Sequence, residues 1–340
     1  MMRFRSVILF FAVIVFAVAA LGGFVLYDVS HGVKENAGEK VRITVAEGAP
    51  FLHTVNQLVT NHLVRHGWTL KFLAQLTGSD HKVHRGTYEF ERGAAPIDML
   101  HALVNGDILS VRVTIPEGYT MWQVSGAFRS AGVDSLAMLE AIHDTNMVKA
   151  LQAPTDNVEG YLYPDTYLVP FGSDAGDIVA QMLTRFHAVW TPDFERRARE
   201  LGMTRHQVLT LASIVEAEAR DPLERPLVSA VYHNRLKISM KLDADPTVAY
   251  AKGGYRGHLY YKDLDLDSPY NTYRRPGLPP GPIGNPGVES IRAALFPDTT
   301  SHALFFVARG DGRHDFSDTL KEHDAAIRRA RAAAREGKPR

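Results

Sequence analysis

Apolar residues are distributed very unevenly along this chain, with a sharp division near residue 28. From Ser6 to Tyr27 (SVILFFAVIVFAVAALGGFVLY) 22 residues pass without a charge, between Arg3 and Arg5 on one side and Asp28 on the other. A hydrocarbon core about 30 Å thick needs about 20 apolar residues at helical rise, so this run is long enough to span a bilayer. The basic flank predicts residues 1–5 on the cytoplasmic side and everything beyond 27 outside the cytoplasm. A cleaved signal peptide is the competing reading, and Ala17-Val18-Ala19 offers an A-x-A cleavage site. The apolar region of such a peptide is only about 7–15 residues long, which favours a retained single-pass anchor over 6–27.

Beyond a polar linker at 28–40, the periodicity changes to that of a folded domain. Val41-Arg-Ile-Thr-Val-Ala-Glu-Gly48 and Val111-Arg-Val-Thr-Ile-Pro-Glu-Gly118 match at five of eight positions. Each alternates apolar and polar residues as a half-buried strand does, and each closes on a Glu-Gly turn. Helical spacing follows both, through Phe51, Val55, Leu58, Val59 and Leu63 in the first case and Trp122, Val124 and Phe128 in the second. His84–Phe90 reads as another strand, and Asp98–Val104 as a helix closed by Gly106. The prediction for 41–110 is a strand–helix–helix–strand–helix module. A second small unit over 111–154 and a core over 155–321 make up the remainder of a larger domain, 111–321. Within it, helices are expected at 176–190 and 204–220. From 322 to 340 a basic, Ala-rich helix reads as a solvated tail. The fold class is α+β: an N-terminal transmembrane helix, a small α+β module, then a mixed α/β domain carrying a long Pro/Gly/Tyr-rich loop.

Composition narrows the chemistry. At 45% hydrophobic and 22% charged residues, most of the 340-residue chain is rich enough in apolar surface to fold. The 38 basic and 38 acidic residues balance, so no global field favours a polyanion and no nucleic-acid partner is expected. Cysteine is absent, which excludes disulfide scaffolds, thiolate zinc sites and cysteine nucleophiles. His62 and His66 stand four apart but lack the glutamate of an H-E-x-x-H pattern, so no metal is expected. No nucleophile elbow, P-loop or dinucleotide fingerprint is present, and no cofactor is expected.

Two regions remain. Gln207–Arg220 (QVLTLASIVEAEAR) opens with nine largely apolar or small residues and ends with Glu216 and Glu218. A carboxyl at the edge of an apolar helix resists ionisation, which moves its pKa toward the range useful to a general acid. Positions two apart face different ways. Leu211, Ile214 and Val215 share a face with Glu218, whereas Glu216 points elsewhere, within reach of Arg220; ordinary solvated carboxylates closing a helix are the bland alternative. The second region, 243–288, is dense in Pro, Gly, Tyr and Asn, beginning with Asp243 and Asp245. Such a segment makes poor helix or central strand. Its aromatic faces and amides suit sugar rings and N-acetyl groups, while a stiff connection packing its aromatics on the core accounts for it equally.

On these residues the sequence resembles the YceG-like endolytic murein transglycosylases. The shared features are Glu159-Gly-Tyr-Leu-Tyr-Pro-Asp-Thr-Tyr167, Leu211-Ala-Ser-Ile-Val-Glu-Ala-Glu218, Asp245-Pro-Thr-Val248, Tyr270-Asn-Thr-Tyr273 and Gly277-Leu-Pro-Pro-Gly-Pro-Ile283 with Asn285-Pro-Gly287, together with the N-terminal anchor. The resemblance implies a LysM-like module at 41–110. It also implies a catalytic glutamate at Glu218, in a stretch where the family usually reads E-K-E-T and this chain has Ala217 and Ala219. The implied reaction cleaves the β-1,4 bond between N-acetylmuramic acid and N-acetylglucosamine in nascent peptidoglycan strands, leaving a 1,6-anhydro ring. Glu218 would protonate the glycosidic oxygen and then, as carboxylate, take the proton of the muramoyl 6-hydroxyl. Glu216 and Asp245 are the alternative or supporting carboxyls; Asp245 opposite Glu218 would instead make a hydrolytic muramidase. Tyr161, Tyr163, Asp165, Ser213, Thr247, Asn271 and Tyr273 are the expected sugar contacts. Peptidoglycan synthases are implied partners, at an inner membrane with the catalytic domain in the periplasm. A glycan-binding anchor or a scaffold for the synthesis enzymes is the non-catalytic alternative.

Overall fold

A computed structural model describes residues 2–254 and 259–336 of a mixed α+β chain. It divides into two compact units, Met1–Val111 with Leu168–Gly172, and Arg112–Tyr167 with Ser173–Arg340. Residues 111–154, expected as a small part of the larger domain 111–321, belong from Arg112 onward to the second of these units.

The first unit begins with α1 (Met2–Ser30) and continues through β1 (Lys40–Val45), α2 (Phe51–Thr60), α3 (Gly67–Thr77), β2 (Gly86–Glu91) and α4 (Pro96–Asn105). The apolar part of α1, Val7–Ser30, is long enough to cross a bilayer. The linker expected from residue 28 begins later. Asp28 still belongs to α1, buried and accepting a hydrogen bond from Thr69 Oγ1 (2.6 Å) beside His66 Nδ1 (2.8 Å). β1 and β2 are antiparallel, in register from Lys40 opposite Glu91 to Val45 opposite Gly86. The period of two turns Ile43, Val45, Tyr88 and Phe90 inward onto Val55, Leu58, Leu70 and Leu103, which form the core of the unit. Gly106 closes α4 in the left-handed region, where glycine carries no Cβ penalty.

The second unit contains β3 (Ser110–Thr114, from Arg112 on), α5 (Met121–Ala127), α6 (Ser135–Ile142), α7 (Thr145–Leu151) and the start of β4 (Thr166–Pro170). Then come α8 (Ala175–Val189), α9 (Pro192–Glu200), α10 (Arg205–Glu218), α11 (Arg225–Lys237), α12 (Asp245–Ala251), α13 (Val288–Leu295), the hairpin of β5 (Phe305–Ala308) and β6 (His314–Ser317), and α14 (Leu320–Glu336). α10 is the central element. Every side chain from Val208 to Val215 is buried, and α9, α11, α12 and α13 all pack on it. A helix apolar all round can be stable only with neighbours on every side.

Two expectations need correction. The Pro/Gly/Tyr-rich stretch 243–288 is not one loop: Asp245-Pro-Thr starts α12, with Pro at the second helical position where its missing N–H costs nothing. The basic helix expected as a solvated tail from residue 322 belongs to α14, which packs on β5 and β6 with Ala326 wholly buried; its last residues, 337–340, lie outside the described residues, as does Met1 of the short N-terminal segment.

Candidate active site

The site is built at the C-terminal end of α10. Its N-terminus is fixed by a capping box: Thr204 Oγ1 accepts from Gln207 N (3.2 Å) and Gln207 Oε1 accepts from Thr204 N (2.8 Å). Fourteen residues later the helix ends on Glu218. Burial is the main cause of this carboxyl's rise from 4.5 to about 7; the hydrogen bond from Tyr232 opposes it, the charge of Asp245 adds to it, and Arg235 opposes it. The position at the negative end of the helix dipole works in the same direction as burial. Glu218 is only part-buried by surface exposure, so protein surrounds the carboxyl while one side stays open to a reactant.

That open side is a cavity of about 360 Å³. α11 contributes Tyr232, whose hydroxyl donates to Glu218 Oε1 (3.1 Å). Burial and the neighbouring Glu218 hold the Tyr232 proton in place, so it remains a donor. Asp245, at the first turn of α12, accepts a hydrogen bond of 2.6 Å from Tyr273, and both line the cavity. Arg235 is buried; Nε donates to Leu304 O (2.6 Å), Nη1 donates to Leu242 O (2.7 Å) and Lys241 O (3.3 Å), and Nη1 also pairs with Asp243 (3.7 Å), which lines the same cavity. Phe305 and Phe306 of β5 and His323 of α14 complete the wall, His323 stacking on Phe305 with centroids 5.1 Å apart. The result is one proton-bearing carboxyl, two further carboxyls from Asp243 and Asp245, and an aromatic wall.

Other sequence-derived residues sit elsewhere. Glu216 faces away from Glu218: its side chain is 8% exposed, pairs with Arg225 (2.9 Å), not with Arg220 as expected, and accepts from Gly287 N (3.0 Å). Tyr161 is in the core with its hydroxyl against His206 Nδ1 (3.2 Å). Tyr163 lies near Arg185, whose guanidinium is 5.9 Å from its ring, and Asp165 pairs with Arg185 at 2.5 Å. The Thr166 backbone N–H and this arginine hold the Asp165 carboxyl below its usual range. Ser213 donates to Thr210 O (2.8 Å) and accepts from Ile283 N (3.0 Å), while Thr247 donates to Ala244 O (2.6 Å). Asn271 donates to the carbonyls of Leu264 (2.9 Å) and Leu266 (2.7 Å) and accepts from Tyr273 N (3.0 Å). Of the seven expected sugar contacts, Tyr273 alone lines the cavity with Glu218 and Asp245.

The motif residues outside the cavity form its scaffold. Asn285 is wholly buried; its Oδ1 accepts from Gly160 N (2.8 Å) and Leu162 N (3.0 Å), and its Nδ2 donates to Tyr119 O (2.8 Å). Gly160 has φ +86°, and a Cβ there would stand 2.3 Å from Pro282 Cγ, so no other residue fits. Glu159 is raised further than Glu218, to about 8, by burial, against hydrogen bonds from Tyr250 (2.6 Å) and Met121 N (2.6 Å). Sealed at 1% exposure, it has no open side for a substrate. Two larger clefts, about 710 and 740 Å³, lie at the opposite end of α10 and contain neither raised carboxyl. Sequence reasoning missed Tyr232, Arg235, Phe305, Phe306 and His323. Tyr232, His233 and Arg235 in a helix whose other inner positions are Val228, Ser229, Ala230 and Val231 were the available signal, since an arginine on a buried face needs a structural or functional reason.

Residues 43–329 match the YceG-like family. An endolytic murein transglycosylase of Bacillus subtilis is 31% identical over 327 residues, covering 90% of this chain and 89% of that protein. One from Streptococcus pneumoniae is 27% identical over 329 residues, and the match spans 59% of its length. Among solved structures, a YceG-like protein of Listeria monocytogenes shares 30% identity at a TM-score of 0.60, over 84% of this chain and 98% of that one. By the extent of these matches and the motifs that build its site, the chain belongs to the YceG-like family.

Proposed function

We propose that the chain is a membrane-anchored endolytic lytic transglycosylase of peptidoglycan, with Glu218 as its acid/base. The observation that carries this reading is the Glu218 carboxyl: it holds its proton to about pH 7 and opens on a cavity lined by aromatic side chains. The substrate class comes from the relatives named endolytic murein transglycosylase.

In the first step Glu218 gives its proton to the oxygen between N-acetylmuramic acid and N-acetylglucosamine as the C1–O bond breaks. In the second the muramoyl 6-hydroxyl forms a bond to C1 and gives its proton to the Glu218 carboxylate, which regenerates the acid. No water is consumed, and the leaving strand departs with a free 4-hydroxyl. Tyr232 donates a hydrogen bond to the carboxylate between the steps, and Asp245, held by Tyr273, lies where its negative charge acts on Glu218. An adjacent negative charge favours the cationic character that develops at C1. The same placement supports a second reading, in which Asp245 aims a water and the product is hydrolytic.

Within the first unit, residues 41–110 take the role of a LysM-like glycan-binding module. α1 crosses the inner membrane with the N-terminus cytoplasmic and the catalytic domain periplasmic. Tethering raises the effective concentration of the enzyme for strands still near the membrane, so cleavage limits their length beside the peptidoglycan synthases that extend them. The test is mass spectrometry of uncrosslinked strands digested by the full chain in detergent, wild type beside Glu218→Gln. Products ending in anhydromuramic acid, absent with the variant, are expected. Ends heavier by one water would establish the hydrolase, and intact strands the non-catalytic anchor.

A further inference from the structure

The first unit carries an apolar face that its own core does not use. Trp68, Phe72 and Leu76 recur at every fourth residue of α3 and are 50%, 49% and 73% exposed. Leu70 and Ala74, on the other side of the helix, supply the contacts to the core, and Thr69 beside the stripe is buried against α1. Three large apolar side chains on one stripe mark a surface made to be covered.

What covers it follows from α1, and the argument rests on the reading of α1 as a membrane span. The two helices are tied to each other directly. α1 runs unbroken to Ser30, Val25 and Val29 are buried, and Asp28 is tied to Thr69 and His66 of the α3 segment. One turn earlier, Phe24 stacks on Trp68, with centroids 6.0 Å apart and planes at 11°. From Val7, where the apolar span begins, to Phe24 the helix rises about 26 Å at 1.5 Å per residue. A hydrocarbon core is about 30 Å thick, so Phe24 and the indole stacked on it stand at the outer edge of that core. Tryptophan is enriched at this level of a bilayer. Arg65, exposed just before α3, and Lys71 within it supply the cations that suit lipid phosphates.

We propose that the Trp68–Phe72–Leu76 face of α3 rests in the interfacial layer of the bilayer that α1 spans. α3 is then a second, in-plane membrane contact that holds the first unit down on the lipid.

The chain has no cysteine, so single cysteines are directly usable. Full-length protein carrying a nitroxide at Ala20→Cys, Phe72→Cys, Leu76→Cys or Glu47→Cys is reconstituted into vesicles of phosphatidylethanolamine and phosphatidylglycerol. Each label is tested for collision with oxygen, which concentrates in lipid, and with a nickel chelate, which stays in water. Labels at 20, 72 and 76 are expected to favour oxygen, with 20 the deepest, while the label at the exposed Glu47 favours nickel. Nickel-dominated labels at 72 and 76 with an oxygen-dominated label at 20 would overturn the inference and leave the span intact. A nickel-dominated label at 20 would overturn the span and the inference together. Labels at 72 and 76 shielded from both reagents would mean that a protein surface covers the face, which also overturns it. Quenching of Trp68 fluorescence by brominated lipid, read as the difference between wild type and Trp68→Phe, checks the result with positions 72 and 76 unaltered.

Discussion

Removing the Tyr232 hydroxyl should move the pH dependence of catalysis upward. Glu218 must begin each turnover protonated, so kcat/KM falls as pH rises through its pKa of about 7. At pH 7 about half of the molecules carry the proton, against about one in three hundred for a carboxyl left at 4.5. Tyr232 donates to this carboxyl at 3.1 Å. A hydrogen bond to a charged group contributes about 1.5–3 kcal/mol, and a neutral one about 0.5–1.5. The difference of roughly 1–1.5 kcal/mol favours the ionised form, and 1.36 kcal/mol corresponds to one pH unit. Tyr232→Phe should therefore shift the descending limb of kcat/KM upward by about one unit. Asp245→Asn removes a negative charge that favours the protonated form, so its limb should move down, in the opposite direction. The assay is the initial rate of anhydromuramoyl ends formed between pH 5 and 9, with circular dichroism confirming that each variant is folded. A Tyr232→Phe limb that stays in place or moves down would refute the reasoning, as would an Asp245→Asn limb that moves up.

Three further outcomes are expected. Glu218→Gln should abolish product while Glu216→Gln retains most of it, because Glu216 is occupied by Arg225 and Gly287 N; equal losses measured on folded protein would remove the distinction between the two carboxyls. Asn285→Ala strands two buried N–H groups at about 1–3 kcal/mol each, so hydrogen exchange at Gly160 and Leu162 should accelerate about a hundredfold, and unchanged rates would show that Asn285 does not hold that turn. Glu159 binds its proton more tightly folded than unfolded, so its contribution to stability is complete below about pH 4.5 and is lost as pH rises through about 8. The melting temperature of the wild type should fall relative to that of Glu159→Gln over this window, by an amount on the order of a few kcal/mol in stability; parallel curves would mean that the carboxyl ionises without cost.

Sequence reasoning went furthest where the signal was local. The span in α1, the strand at Val41, the closure of α4 at Gly106 and the extent of α10 each depend on neighbours within a few residues. The different directions of Glu216 and Glu218 follow from helical geometry alone, but a packed face does not, because α10 is buried all round from Val208 to Val215. Partners brought together from a distance were not legible. Arg225 rather than Arg220 reaches Glu216 because the chain turns back after Asp221 and returns as α11. Tyr232, Asp245, Phe305 and His323 meet Glu218 through the packing of α10, α11, α12 and the β5–β6–α14 layer, and no spacing records that packing. Tyr161, Ser213, Thr247 and Asn271 stand in motifs of the kind that bind ligands, yet each has its hydroxyl or amide engaged within the scaffold. Residue type cannot distinguish a side chain that would hold a sugar from one that holds the loop beside it.

α10 also places a constraint on what can change without loss of activity. Each residue added to a helix advances it by 1.5 Å and turns it by about 100°. Because α10 starts at a fixed cap and is gripped by α9, α11, α12 and α13, it cannot rotate to absorb a change in length. Losing one residue between Val208 and Val215 would carry the carboxyl a quarter-turn or more away from Tyr232 and bring an alanine round in its place. The side chains along this helix are open to substitution by others of similar volume, but their number is not.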